Sequence, residues 1–256
     1  MAERAEVDFG IVDVHAHWGS WHFPSRCHGR EDLYRILDAA GIEKVVLSST
    51  LALQLDLRRG NAELAQLVER DGERRLFAAV VVNPRQREQS LADLRRFARH
   101  ERFLAVKYHP HYSRTPTSAP ETMELVAAAR EEGFNAFMLH TYGAAEARDN
   151  LEILRRHPQA VLFLFHMGGP EPEAAAEAAR PYPNALLEPS STPASRGKIA
   201  RALEAVGAER VVFGTDLTLL SPFHTLGMVL EENLEEAVLR KVLRDNALRL
   251  LPGLEG

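Results

Sequence analysis

Phe9-Gly-Ile-Val-Asp-Val-His-Ala-His17 sets the reading of the 256-residue chain. It opens as a buried strand, with Ile11, Val12 and Val14, and ends in two histidines one residue apart. Successive strand side chains point to opposite faces. That places Asp13, His15 and His17 on one face and Val12, Val14 and Ala16 on the other. Two imidazoles on one face at a strand end can reach one ion about 2.0–2.1 Å from each nitrogen. His-x-His alone also fits a solvated pair at a strand–loop junction, so the rest of the chain decides.

Downstream, apolar runs and amphipathic stripes alternate. Leu33, Ile36, Leu37 and Ala40 recur at helical spacing, with Gly41 placed to end the helix. Short apolar runs follow at Val45–Leu47, Leu76–Val82, Phe103–Tyr108, Phe134–Leu139, Val161–Phe165, Ala185–Leu187 and Val211–Phe213. Helical stripes separate them, among them Ala62–Arg70, Met123 to Ala127, Ala144 to Leu154 and Ile199 to Val206. Unbroken apolar strands alternating with helices belong to parallel sheets covered by helices. About eight repeats predict a (β/α)8 TIM barrel, one domain over residues 1–256, closed by C-terminal helices. No glycine-rich nucleotide fingerprint follows the first strand, which fits a barrel better than an open doubly wound sheet.

A hydrophobic fraction of 45% and a charged fraction of 26% are those of an ordinary globular chain, long enough to fold without disulfides or a structural metal. A metal here would serve chemistry. The net charge of -5 and pI near 6.1 argue against nucleic-acid or membrane partners. The arginine-rich stretch Arg85–Arg102 carries Leu91, Leu94 and Ala98 at helical spacing among Glu88, Asp93 and Glu101, and reads as a solvated helix face. Cys27 is alone, no apolar signal segment opens the chain, and the run Leu76–Val82 is far short of the ~20 residues that span a bilayer. A cytoplasmic protein acting on a small molecule is expected.

Residues able to bind metal or move protons stand at the ends of five predicted strands: His15 and His17, Lys107 and His109, His140, His166, and Asp216. In a barrel these ends converge on one rim, where active sites are built, and a shared metal site follows. With that set, the chain resembles the amidohydrolase superfamily of metal-dependent barrels. It is most similar to the branch holding "amidohydrolase 2" proteins and aminocarboxymuconate-semialdehyde decarboxylase. The likeness runs from Asp13-Val-His-Ala-His17 to Asp245-Asn-Ala-Leu-Arg-Leu-Leu251.

The resemblance implies that His15, His17, His140 and Asp216 bind one divalent ion. His166 and Asp216 would be the catalytic pair, with His166 handling the proton of a water or of the substrate. Asp13 would fix a histidine tautomer from behind, or else cap the loop. Imidazoles with a carboxylate suit zinc first, with manganese or iron as alternatives. Such an ion would lower the pKa of a water from 15.7 toward ~7.

Lys107, one of four lysines against 27 arginines, has three readings. It is a carboxylated bridge between two ions, an unmodified contact to substrate or carboxylate, or a structural ion pair. Arg26, His22, His28, His109, His111 and Tyr142 are further substrate candidates, and Trp18 and Trp21 would line the pocket or pack the loop. The expected activity is hydrolysis of a small carboxylate-bearing amide, ester or lactone by a metal-activated water. The alternative is nonoxidative decarboxylation on the same site. A homodimer follows from analogy alone.

Overall fold

Seven strands pair in parallel, in chain order: β1 (Ile11–Trp18), β2 (Ile42–Ser49), β3 (Leu76–Val81), β4 (Phe103–Tyr108), β5 (Ala136–Tyr142), β6 (Val161–Gly168) and β7 (Ala185–Leu187). The computed structural model describes residues 7–22, 29–193 and 195–255. Helices return the chain between successive strands, as parallel pairing requires. The first of them, Arg30–Ala40, ends at Gly41, whose φ of 69° supplies the left-handed cap anticipated from the sequence.

Strand alternation sorts the core into two layers. Val46, Phe77, Ala105, Met138, Phe163 and Leu186 point to the concave side and pack with Ala247, Leu251 and Leu254 of the C-terminal segment. Their neighbours Val45, Leu76, Val106, Phe137, Leu162 and Leu187 face the helices, meeting Leu33, Leu64 and Leu94. Burying each of the larger side chains contributes about 1.5–3 kcal/mol. The arginine-rich helix runs Arg87–Phe97, burying Leu94 and Phe97 while exposed Arg87 pairs with Glu124. Among the described residues no helix is long and apolar enough to cross a membrane.

Among the departures from regular alternation, two that involve β1 shape the site. In β1, Asp13 pairs with Val45 but Ala16 pairs with Leu47, so β1 holds one residue more than β2 across this step. This bulge reverses the alternation. Val12 and Val14 face the concave side, Ala16 joins the helix-facing layer, and His15 and His17 turn inward. Asp13 therefore does not share a face with the two histidines, contrary to the simple period-two reading.

The second departure is the expected eighth strand. Residues 211–217 form isolated bridges instead, Leu187 with Val211 on one side and Ala16 with Leu217 on the other. The Val212 amide donates to Leu187 O (3.0 Å), and the Val14 amide donates to Phe213 O (3.0 Å). The segment thus lies between β7 and β1. Asp216, at a φ of 58°, leaves the extended conformation that a strand would need.

Candidate metal centre

The concave layer changes character toward the C-terminal strand ends. Two residues beyond Val46 stands Ser48, beyond Ala105 stands Lys107, beyond Met138 stands His140, and beyond Leu186 stands Glu188. Each continues its strand's inward register. The apolar plug is thereby capped by a polar layer.

Four imidazoles in this layer are each anchored through Nδ1. The partner of His15 is Glu188 Oε2 at 2.8 Å, and that of His17 is Ser48 Oγ at 3.0 Å. His166 donates to the Ser190 carbonyl at 2.7 Å, and His140 faces Glu146 Oε1 at 3.4 Å. A neutral imidazole with its proton on Nδ1 leaves a lone pair on Nε2. For His15 and His17 that lone pair meets Asp216 Oδ1, at 3.5 and 2.9 Å.

His15 Nε2 is a buried polar atom with no hydrogen-bond partner. A lone pair facing a carboxylate is unfavourable unless a cation stands between them. Ligand atoms each about 2.1 Å from one ion lie about 3.0–3.5 Å apart. The separations of 2.9 and 3.5 Å therefore suit a shared divalent cation.

Electrostatics favours the same use. Burial holds His15 well below the ordinary imidazole value and also lowers His17 and His140, so all three present neutral nitrogens. Burial pulls the Asp216 carboxyl up, but His17, His166 and Lys107 around it together pull it down further, and Asp216 ends below the usual carboxylate range. Burial drives Glu188 up to about 8 against the pull of donors from Ser190 and His166.

His166 reaches the site by an unusual route. Phe163 and Phe165 already face inward, so regular alternation would send His166 out to the helices. A left-handed φ of 66° turns it back over the site. Such a conformation costs a non-glycine residue of order 1–3 kcal/mol and persists where surrounding contacts hold it. Here the Ser190 carbonyl fixes the ring, and burial lowers its pKa to about 3.

These residues open onto a cavity of about 350 Å³, whose outer wall includes Trp21, Tyr112 and Leu219. Trp21 is held by a hydrogen bond from Nε1 to Thr218 Oγ1 (3.1 Å). A larger hollow of about 630 Å³ is lined by Arg196, Lys198, Met228 and Glu231, and none of the strand-end residues reach it. The smaller cavity gathers the chemistry.

Of the residues singled out in the sequence, His15, His17, Lys107, His109, His140, His166 and Asp216 all line this cavity. The ligand atoms of His15, His17 and Asp216 cluster within 4.8 Å of one another. His140 lines the same cavity, but its ligand atom groups instead with those of His111 and Glu146. Asp13 does not fix a histidine ring. Its carboxylate accepts from the His15 amide (2.9 Å) and from the Thr215 amide and hydroxyl (3.1 and 2.5 Å), tying β1 to the segment before Asp216.

Arg26 and His28 lie outside the described residues. The tautomer-fixing carboxylates, Glu188 and Glu146, escaped the sequence reading. Glu188 was within reach of it, because an acidic residue two positions past an inward-facing Leu186 continues the register into the site.

The amidohydrolase family model matches residues 12–253. Several solved structures share the fold. The 5-carboxyvanillate decarboxylase of Sphingomonas paucimobilis is 14% identical, with a TM-score of 0.78, and the match covers 95% of this chain and 99% of that one. A dihydroxybenzoic acid decarboxylase from Polaromonas, bound to manganese and the inhibitor 2-nitroresorcinol, is 16% identical, with a TM-score of 0.77 and coverage of 95% and 97%. An uncharacterised TIM-barrel protein from Bordetella bronchiseptica is 16% identical, with a TM-score of 0.76 and coverage of 97% and 100%. No curated protein matches the sequence. With nearly its whole length matched by the family model, the chain belongs to the amidohydrolase family.

Proposed function

We propose that this protein is a nonoxidative, metal-dependent decarboxylase of small aromatic or enoic acids. We read its seven strands, with residues 211–217 as an irregular eighth stave, as a (β/α)8 barrel. The observation that carries the functional reading is the frame shared with decarboxylases, one of them manganese-bound, joined to a buried His15–His17–Asp216 donor set beneath one cavity.

The donor set of His15, His17 and Asp216, with His140 as a fourth ligand, suits manganese or zinc. A divalent ion bound there supplies Lewis-acid polarisation of a substrate oxygen. The protein's own groups do the rest. His15, His166 and Asp216 are only 1%, 7% and 3% exposed, so a carboxylate entering among them is stripped of water. Loss of CO₂ disperses that charge. The carbon–carboxylate bond breaks, its electron pair stays on carbon, and that pair takes up a proton. His166, neutral with its proton on Nδ1 committed to Ser190, offers the Nε2 lone pair as a relay that takes a proton from water and passes it to that carbon, leaving hydroxide to the solvent.

Hydrolysis of an amide, ester or lactone would use the same donors, and one experiment separates the two. Manganese- or zinc-loaded protein is incubated with 2,6-dihydroxybenzoate, 5-carboxyvanillate and a set of enoic acids, and released CO₂ is measured beside ester and lactone turnover. CO₂ release that is lost in His166→Asn supports decarboxylation. Ester or lactone turnover without CO₂ would replace it with hydrolysis.

A further inference from the structure

Lys107 is the one lysine or arginine among the described residues lining the cavity. It is 1% exposed, and no hydrogen bond or ion pair within 4.0 Å reaches its ammonium from any described residue. Its Nζ sits 4.2 Å from the centre of the Phe165 ring. The carboxylates that act on it from a distance are committed elsewhere, Asp216 to the donor set it forms with His15 and His17 and Glu188 to His15 and Ser190. A structural ion pair is thereby set aside. Burial without a close counter-charge pulls the pKa of the Lys107 ammonium down to about 7, and such a cost persists at sites where an anionic ligand relieves it.

We infer that Lys107 forms an anion subsite inside the cavity, so that the molecule bound there carries a second oxyanion, a phenolate or a second carboxylate, besides the group held at the His15–His17–Asp216 donors. The subsite lies at the inward end of β4, two residues past Ala105, on a rigid strand. It therefore selects by charge and position. The inference refines the decarboxylase reading by naming the substrate class, and its test measures binding, not turnover.

Metal-loaded wild type and Lys107→Met are titrated with benzoate, 2-hydroxybenzoate, phthalate and isophthalate, following Trp21 fluorescence or heat, with metal content confirmed by elemental analysis. In wild type at least one of the three probes that carry a second acidic oxygen should bind about tenfold or more tightly than benzoate, the effect of one charge-assisted contact. In Lys107→Met that probe should fall to the level of benzoate, while benzoate itself changes less than about twofold. The variant's thermal midpoint should equal or exceed that of wild type, since a buried charge has been removed.

Equal binding of all probes by wild type, or a preference kept by Lys107→Met, overturns the subsite. So does a fall in the variant's midpoint, or a bicarbonate-dependent carbamate signal on Lys107. A wild type that shows the preference yet releases no CO₂ from any acid sinks the decarboxylase reading and leaves the subsite standing.

Discussion

His15 Nδ1 lies 2.8 Å from Glu188 Oε2, and the two side chains are 1% and 0% exposed. This contact joins β1 to the end of β7 and determines which His15 nitrogen faces Asp216. Ser190 strengthens it, donating its hydroxyl to the same Glu188 oxygen at 2.9 Å. Glu188→Gln keeps the shape but replaces one carboxyl oxygen with an amide nitrogen, which can present a donor to a ring nitrogen that is itself a donor. Divalent-metal affinity should fall about 10–100-fold, the usual effect of losing a carboxylate behind a ligating histidine. Competition against a chromogenic chelator measures it. Unchanged affinity would mean that Glu188 only packs.

His166→Asn probes the proton carrier without attacking the ion site. Asparagine tolerates the left-handed conformation that His166 adopts at a φ of 66°. The fold should therefore survive. His166 groups with His15 and Glu188 and not with His17 and Asp216, so an ion held by the His15–His17–Asp216 set should leave metal content at the wild-type level. The rate constant kcat should fall about 10²–10⁴-fold, the contribution of a positioned acid or base. Equal loss of metal and activity would make His166 a ligand.

The alternation of helix and strand was legible because it rests on local pattern: apolar runs for β1–β7 and amphipathic stripes between them. The site residues were legible for the same reason, as polar side chains following apolar runs. Three things were not. The bulge in β1 inserts one residue without any local mark, so Asp13 was placed with His15 and His17 although it binds Thr215. The turn of His166 into the site depends on the distant Ser190 carbonyl. Residues 211–217 are held by hydrogen bonds with β1 and β7 and carry little strand geometry of their own.

Metal-free protein should lose stability as pH falls below 6.5. Burial lowers the pKa of His15, His17, His109, His140 and His166 from an ordinary value of 6.5. Below that value the unfolded chain takes up five protons that the native state resists. A base lowered in this way contributes stability that is present above its unfolded value and lost as pH falls beneath it. Asp13, raised to about 7, and Glu188, raised to about 8, act in the opposite sense, because the native state keeps two protons that the unfolded chain releases. The lowered imidazoles outnumber the two raised carboxyls, so the net effect is a loss of stability as pH falls from 6.5 toward 5. Urea midpoints in the presence of a chelator measure this, and a flat profile would show that the imidazoles are not held neutral.

Two glycine-to-alanine changes should move stability in opposite directions. A Cβ on Gly214 would lie 2.7 Å from His15 Cβ and 2.8 Å from Glu188 Cγ, too close for either to stay in place. His15 has little room to retreat, because its ring stacks on Phe165 with centroids 3.7 Å apart. Gly214→Ala should therefore cost about 1–3 kcal/mol by overpacking, and it should weaken metal binding by displacing the His15–Glu188 pair. Gly227 lies within the helix Pro222–Leu230, and a Cβ there meets nothing within 4 Å. Gly227→Ala should stabilise by roughly 0.5–1 kcal/mol through helix propensity alone, with metal affinity unchanged. Thermal midpoints and chelator competition on both variants test the pair. A Gly214→Ala protein with wild-type metal affinity would mean that the close approach of residue 214 to His15 does not hold the site's geometry.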